Sequence, residues 1–461
     1  MNQYKKIADE LSRLGGTIQV VTDLDILETY AKDETSDLSA MPDILVRAET
    51  AQDVSLVLGY CNANNVPVIP RGAGTGVTGG AVPVMGGVVL SLEKMNRIIE
   101  IDRENMVAVA EPGAITRDIQ EAAREQGLMY PPDPASLDSC SIGGNVAENA
   151  GGPRAVRYGT TKDYVLGLEF VLADGSIITT GGKIVKNATG YSLLGILIGS
   201  EGTLSVITKI FLRLVPAPPV AIDMLIPFPS IQDAADAVQA ILIGKIIPAT
   251  LEFMERDAIA MVSAHLGRET PFPDAGAHLL IQVDGNDDQA VLDSLERIAR
   301  IAGVDPEAML IAQSAAQRER LWKARRSIRE SITVESPVFL AEDCVVPRSK
   351  IPAFLTELKA YLETRGLRSV MFGHAGDGNV HIDVLKGGME YETWKAALPD
   401  LKREIYRRAI ALGGTITGEH GIGFIRKDYL GLACSDAEIE LFRRIKKAFD
   451  PKGILNPGKI F

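Results

Sequence analysis

Arg71-Gly72-Ala73-Gly74-Thr75-Gly76-Val77-Thr78-Gly79-Gly80 follows the apolar run Val66 to Ile69 and contains the spacing Gly74-x-Gly76-x-x-Gly79. That spacing matches the dinucleotide fingerprint, which works only where the glycines open a helix whose N-terminus faces a pyrophosphate. Here Ala81-Val82-Pro83-Val84-Met85-Gly86-Gly87 leads instead into another strand, Val88 to Leu92. A doubly wound nicotinamide-binding fold is therefore rejected. What remains is a loop of backbone N–H groups with an arginine at its edge, suited to phosphate oxygens.

Working outward from that loop, short helices alternate with apolar strands up to about residue 220. Asp43 to Ala48 reads as a strand, and Thr50-Ala51-Gln52-Asp53 as the capping signal of a helix through Tyr60. Met106 to Ala110 is a further strand, and Leu166 to Ala173, closed by Asp174-Gly175 before Ser176 to Thr179, reads as strand-turn-strand. Pro216-Ala217-Pro218-Pro219 then breaks the chain, which sets a first domain at 1–219. Beyond it, strands are expected at Ile222 to Ile226, Leu251 to Met254, Leu279 to Val283 and Val338 to Val346. Helices are expected over Ile231 to Leu242, Asp287 to Ile301, Arg318 to Ile332 and Lys350 to Thr364. Repeated strand-helix-strand units of this kind predict an antiparallel sheet with helices on one face, of the ferredoxin-like sort, over 220–410. The remainder, from Tyr391 onward, is mostly helical, with 411–461 as a closing segment.

A second glycine cluster strengthens the phosphate reading: Ser139-Cys140-Ser141-Ile142-Gly143-Gly144-Asn145, then Asn149-Ala150-Gly151-Gly152-Pro153-Arg154. Two such loops in one alternating domain suit a large ligand lying along backbone. Neither loop ends in the lysine-serine or lysine-threonine pair of a nucleotide hydrolase.

Three of the chain's five histidines lie in two short segments, Gly373-His374-Ala375-Gly376-Asp377-Gly378-Asn379-Val380-His381 and Gly418-Glu419-His420-Gly421. Reading Asp377-Gly378 as a two-residue hairpin turn pairs His374 directly with His381, about 5 Å apart at Cβ on one face. Two imidazoles so placed can converge on a divalent cation, with Glu419 as a third ligand and His420 left to move protons. Arg318, Trp322, Arg325 and Arg329, spaced four, three and four apart, form a basic face on one helix that could bind a carboxylate.

A formal net charge of -12 and a sequence pI near 5.1 disfavour nucleic acid and anionic membrane as partners. No stretch has the length and apolarity of a membrane span, and Met1 to Leu11 lacks a signal-peptide core, so a cytoplasmic location is expected. Cys61, Cys140, Cys344 and Cys434 are far apart and form no Cys-x-x-Cys pair. That excludes a disulfide framework, a zinc ribbon and an iron-sulfur cluster held by this chain alone.

Taken together, Pro70-Arg71-Gly72-Ala73-Gly74-Thr75-Gly76, the Ile142 to Asn145 and Asn149 to Gly152 runs, Gly199-Ser200-Glu201-Gly202-Thr203, the histidine segments and Leu455-Asn456-Pro457-Gly458-Lys459 carry a resemblance over nearly the whole chain. The sequence resembles the FAD-dependent D-2-hydroxyacid dehydrogenases of the vanillyl-alcohol-oxidase superfamily, of the D-lactate dehydrogenase and glycolate oxidase D-subunit type. The resemblance implies an α+β fold with a two-part FAD-binding domain, a ferredoxin-like antiparallel sheet as substrate (cap) domain, and a C-terminal segment returning to the flavin. It assigns FAD to Arg71, Gly72, Ala73, Gly74, Thr75, Gly76 and Gly79, and to Pro131, Asp133, Ser139, Ser141, Gly143, Gly144, Asn145, Asn149, Gly151, Gly152 and Gly159. Glu201, Gly202, Ile207 and Asn456 complete the flavin set. Attachment should be noncovalent, because no histidine stands in the first loop.

By the same resemblance His374, His381 and Glu419 hold a divalent metal (zinc, or iron or manganese), His420 is the base and Arg325 grips the substrate carboxylate. The implied reaction is metal-assisted oxidation of a small D-2-hydroxy acid, with D-lactate or glycolate foremost, to the 2-oxo acid. Electrons should pass to an electron-transfer flavoprotein, an iron-sulfur subunit or a quinone-linked carrier, and a homodimer is allowed. The alternative is a flavin-holding subunit that relays electrons within a complex, a role that needs the glycine loops but not the C-terminal motifs. Two departures bear on the substrate. Related 2-hydroxyglutarate enzymes carry threonine where this chain has Arg329 and lysine where it has Ala341, and many relatives have asparagine at Asp383.

Overall fold

In the computed structural model, the strand Val68–Arg71 runs into the first glycine loop, and the next regular element is the strand Val88–Ser91, parallel to it. The absence of a helix after the loop is as the sequence predicts. The structure describes residues 2–267 and 270–461, which divide into two compact units. The first comprises Met1–Ala150, Thr160–Ala217 and Glu419–Phe461; the second comprises Gly151–Gly159 and Pro218–Gly418.

The first unit holds a four-stranded sheet, in the order Gln19–Val21, Ile44–Arg47, Val88–Ser91, Val68–Arg71, whose last three strands are parallel. Parallel strands are buried on both faces, and Ile44, Val46, Val68, Val88 and Leu90 accordingly share a core with Val54, Val57, Leu58 and Cys61 of the helix Ala51–Asn64. Thr50 and Asp53 form the capping box that starts this helix. Its far end turns through Asn65 in the left-handed conformation. The C-terminal residues return to the free edge of the sheet: Val68 N–H donates to Ile454 O at 2.8 Å, and Asn456 N–H to Val68 O at 2.8 Å. A second, five-stranded antiparallel sheet contains the strand-turn-strand Val165–Val171 to Ile177–Gly181, with Val171 opposite Ile177.

The second unit is built on a seven-stranded sheet ordered Leu310–Ile311, Val220–Phe228, Ala277–Gly285, Thr250–Glu255, Arg368–His374, Asn379–Leu385, Phe339–Val345, antiparallel throughout. Every residue of Thr250–Glu255 and Asn379–Leu385 is buried, so these strands are covered on both faces, where a sheet with helices on one face alone would alternate. One face, carrying Met254 and Phe372, packs on Ile259 and Val262 of the helix Arg256–Leu266 and on Leu321, Ile328 and Ile332. The expected helix Arg318 to Ile332 is two, Ala315–Arg326 and Ile328–Glu335, separated by Ser327.

The histidine hairpin is longer at its turn than predicted. His374 pairs with Asn379, and Phe372 pairs with His381. Ala375 to Gly378 form the connection, with the His374 carbonyl accepting from both Asp377 N–H (3.2 Å) and Gly378 N–H (3.1 Å). A two-residue turn of the expected type needs positive φ at both central positions. Gly378 has it (φ 94°), but Asp377 does not; its carboxylate accepts from Asn379 N–H at 3.0 Å instead.

Candidate active site

The two glycine loops meet in the first unit. Ala73 N–H donates to Ser141 Oγ at 3.3 Å, and a Cβ at Gly72 would fall on that same hydroxyl. Gly72 is therefore required by close approach rather than by turn geometry. Arg71 is buried, with its guanidinium over the Tyr30 ring at 5.4 Å. Thr75 and Gly76 extend the first loop, Gly74 and Gly79 have positive φ, and Gly79 N–H donates to Thr35 Oγ1. Ser141 precedes the short helix Ile142–Glu148 without capping it through its side chain, and that helix carries Gly143, Gly144 and the buried Asn145; Asn145 Nδ2 donates to Thr116 Oγ1 at 2.7 Å.

Three residues of the flavin set that are not glycine hold left-handed backbone: Asn149 (φ 54°), Glu201 (φ 52°) and Asn456 (φ 40°). Such conformations cost free energy and persist where the surroundings enforce them. Asn456 Nδ2 is the clasp, donating to Gly80 O at 2.9 Å and Glu201 O at 2.8 Å. The Glu201 carboxylate accepts from Ile422 N–H at 2.8 Å and Gly423 N–H at 2.7 Å, which draws the chain just after His420 onto the same frame. Gly202 follows in positive φ, and Ile207 is buried in the strand Val206–Arg213. Pro131 is buried, Asp133 half-buried, and Ser139 exposed with its hydroxyl turned to Ser136 O. Gly151, Gly152 and Gly159 belong to the short Gly151–Gly159 segment of the second unit.

Three titratable groups here were given no role from sequence. Arg426 is 1 % exposed and donates to Gly421 O at 3.1 Å; Lys459 donates to Val82 O. Burial lowers the Lys459 ammonium to about 8. Glu148 is pushed well above the usual carboxylate range by burial and then by Glu201 and Asp33. Arg426 and Glu148 stand alone in sequence with no spacing to read, and Lys459 closes the Leu455 to Lys459 run without a partner that spacing could name.

In the second unit the basic helical face meets a row of carboxylates on the sheet. Arg318 Nε lies 2.7 Å from Asp223 Oδ2, and Trp322 Nε1 donates to Asp223 Oδ1 at 2.8 Å. Arg325 Nη2 lies 2.7 Å from Glu252 Oε2, and Arg329 Nη1 lies 2.7 Å from Asp383 Oδ1. Asp223, Glu252 and Asp383 are all fully buried. Arg325 Nε is also buried and has no acceptor among the described residues. Glu252 divides its carboxylate, since its other oxygen is 2.6 Å from His374 Nδ1. Burial raises the Glu252 carboxyl, but His374 and Arg325 outweigh it and hold the group below its ordinary value.

His374 and His381 are diagonal neighbours on one face, their ring centres 5.2 Å apart. The longer turn thus preserves convergence while changing which residues pair. One ligand atom each from His374, His381 and Glu419 lies within 4.8 Å of the others, a spacing that one divalent cation can draw together. Asp343, opposite His381 on the neighbouring strand, accepts from Gly418 N–H at 2.8 Å and from the Thr417 hydroxyl at 3.1 Å, fixing the segment that leads into Glu419. His420 is next in the chain, with its Nε2 3.9 Å from Glu419 Oε1.

This arrangement of glycine loops and histidine sheet agrees with the comparison against known families. Residues 217–460 match the model described as FAD linked oxidases, C-terminal domain, and residues 42–181 match the FAD binding domain. The chain belongs to the FAD-linked oxidases. It is 38% identical to a D-lactate dehydrogenase of Anaerostipes hadrus, covering 99% of this chain and 98% of that one, and 40% identical to glycolate oxidase subunit GlcD of Bacillus subtilis, covering 94% and 92%. A D-2-hydroxyglutarate dehydrogenase of Stutzerimonas stutzeri is 33% identical, over 99% of this chain and 98% of that one. Among solved structures, p-cresol methylhydroxylase with substrate bound shares the fold at a TM-score of 0.81 and 21% identity, covering 100% of this chain and 97% of the other. The protein is thus an FAD-linked oxidoreductase of the hydroxyacid dehydrogenase kind, with the vanillyl-alcohol-oxidase-type fold expected from sequence. No helix among the described residues is long and apolar enough to cross a membrane.

Proposed function

We propose that this protein oxidises a small D-2-hydroxy acid, with D-lactate or glycolate foremost, to the 2-oxo acid. The observation that carries the reading is Arg325 Nε, a buried guanidinium donor without an acceptor among the described residues, on a side chain whose Nη2 Glu252 already holds in place. Such a donor is costly to leave unmet and matches a carboxylate oxygen. His374, His381 and Glu419 would hold a divalent cation, and their mutual spacing fits one. The interlocked glycine loops, with the backbone of Asn149, Glu201 and Asn456 held left-handed, suit the long backbone-lined ligand that FAD is. When bound, FAD supplies the two-electron acceptor and the cation supplies Lewis acidity toward the substrate oxygens.

The chain's own part is orientation and proton transfer. Arg325 sets the carboxylate end of the substrate. His420 accepts the hydroxyl proton, the general-base role for which a half-buried imidazole beside Glu419 is placed. Electrons then leave for an electron-transfer flavoprotein, an iron-sulfur subunit or a quinone-linked carrier, and a cytoplasmic location belongs to the same proposal.

The test is a dye-reduction screen of the purified flavoprotein with D-lactate, glycolate, D-glycerate and D-2-hydroxyglutarate, each with and without chelator. Bleaching by a D-2-hydroxy acid that chelator abolishes is expected. A flavin that none of them bleaches overturns the enzyme reading in favour of an electron-relay subunit, and chelator-insensitive turnover overturns the metal role alone.

A further inference from the structure

Arg325, at the end of the helix Ala315–Arg326, and Arg329, at the start of the helix Ile328–Glu335, both place their guanidinium groups over the ring of Phe372, at 4.9 and 5.9 Å from its centre. Phe372 in turn packs on His381, with ring centres 5.1 Å apart. Two arginines on one wall, beside a pair of histidines, would by composition invite a substrate with two carboxylates. The sheet beneath them alters that balance. Asp383 is two residues beyond His381 on the same face of its strand, is fully buried, and pairs with Arg329 at 2.7 Å. The Arg329 side chain also covers the Phe339 ring at 5.5 Å, which fixes it sideways along the sheet. Arg325 is held differently: its partner Glu252 is shared with His374, and its Nε has no acceptor among the described residues.

We propose that the Arg329–Asp383 pair is a specificity device that cancels the second arginine and so restricts the site to 2-hydroxy acids with a single carboxylate. The inference rests on the hydroxyacid reading above and deepens it. A second carboxylate reaching Arg329 must displace Asp383 or lie beside it. A displaced buried carboxylate loses its pairing with Arg329, and a neighbouring one repels the incoming group. A monocarboxylate gripped by Arg325 meets neither cost.

The experiment compares D-lactate with D-2-hydroxyglutarate by kcat/KM in the wild-type holoenzyme, in Asp383→Asn, and in Asp383→Asn combined with Arg329→Gln, with flavin content and Tm as folding controls. The wild type should favour D-lactate by roughly tenfold or more, as expected for a site that sets one charge against another. Asp383→Asn should shift the ratio toward the dicarboxylate by roughly tenfold, and the double substitution should remove that gain. Inhibition by 2-oxoglutarate relative to pyruvate should move in the same sense. A wild type that prefers D-2-hydroxyglutarate overturns the inference whatever the variants do, as does an unchanged ratio in a folded, flavin-loaded Asp383→Asn. A wild type that oxidises none of D-lactate, glycolate, D-glycerate and D-2-hydroxyglutarate is a distinct result, because it removes the functional reading itself and this inference with it.

Discussion

Glu252 Oε1 lies 2.6 Å from Nδ1 of His374, so the histidine's Nδ1 is engaged by a buried carboxylate and its Nε2 is the nitrogen turned to other work. A carboxylate behind a ligand histidine sets the tautomer, orients the ring and raises its basicity. The same carboxylate braces Arg325, so one buried residue positions both a candidate metal ligand and the candidate carboxylate grip.

Glu252→Gln should therefore weaken metal retention by roughly 10- to 100-fold while the protein stays folded. Metal content measured against a graded chelator reads this directly, without recourse to turnover. Retention equal to wild type would show that Glu252 serves Arg325 alone.

His420→Ala should keep flavin and metal and lose turnover by roughly 10²-fold or more, since a positioned acid-base group contributes on that scale. Stopped-flow flavin reduction and the flavin absorbance ratio separate the two effects. If the variant is purified colourless, His420 is structural.

Removing the Asn456 side chain leaves the carbonyls of Gly80 and Glu201 without its two hydrogen bonds. Asn456→Ala should cost about 1–3 kcal/mol of stability, the penalty for buried polar groups left unpaired, and should lower flavin occupancy. Denaturant titration and the ratio of flavin to protein absorbance check it. A variant that matches wild type in both would rule out the clasp.

His278 Nε2 lies 3.0 Å from Phe272 O, and burial lowers the ring's pKa to about 4 from an ordinary 6.5. The unfolded chain then binds more protons than the native one between those two values, so stability falls as pH falls from 6.5 toward 4. The total is on the order of 3 kcal/mol. Urea unfolding at pH 7 and pH 4.5 should show that loss in the wild type and a smaller one in His278→Gln. Equal losses would place the acid sensitivity elsewhere.

Local signals in the sequence carried local structure. The Thr50–Asp53 capping box, the strand after the first glycine loop and the helical spacing of Arg318, Trp322 and Arg325 appear as read, while Arg329 falls on the next helix, past the break at Ser327. Each depends on residues a few positions apart, where propensity and periodicity decide the outcome. The hairpin shows the limit of that reasoning. Its register differs from that of a two-residue turn, with the Asp377 carboxylate accepting from Asn379 N–H, a choice of turn that residue type alone leaves open.

What the sequence by itself determined was the class of chemistry: a first glycine loop suited to phosphate oxygens that leads into a strand rather than a helix, and histidines grouped beside a glutamate. Only the tertiary structure decided what the basic face does. Asp223, Glu252 and Asp383 are spread across more than a hundred residues, and no spacing rule joins them to Arg318, Arg325 and Arg329. Sheet pairing brings the three carboxylates to one surface, and burial there makes an unpaired charge so costly that each must meet a cation. That physical demand ties Arg329 to Asp383 and shares Glu252 between Arg325 and His374.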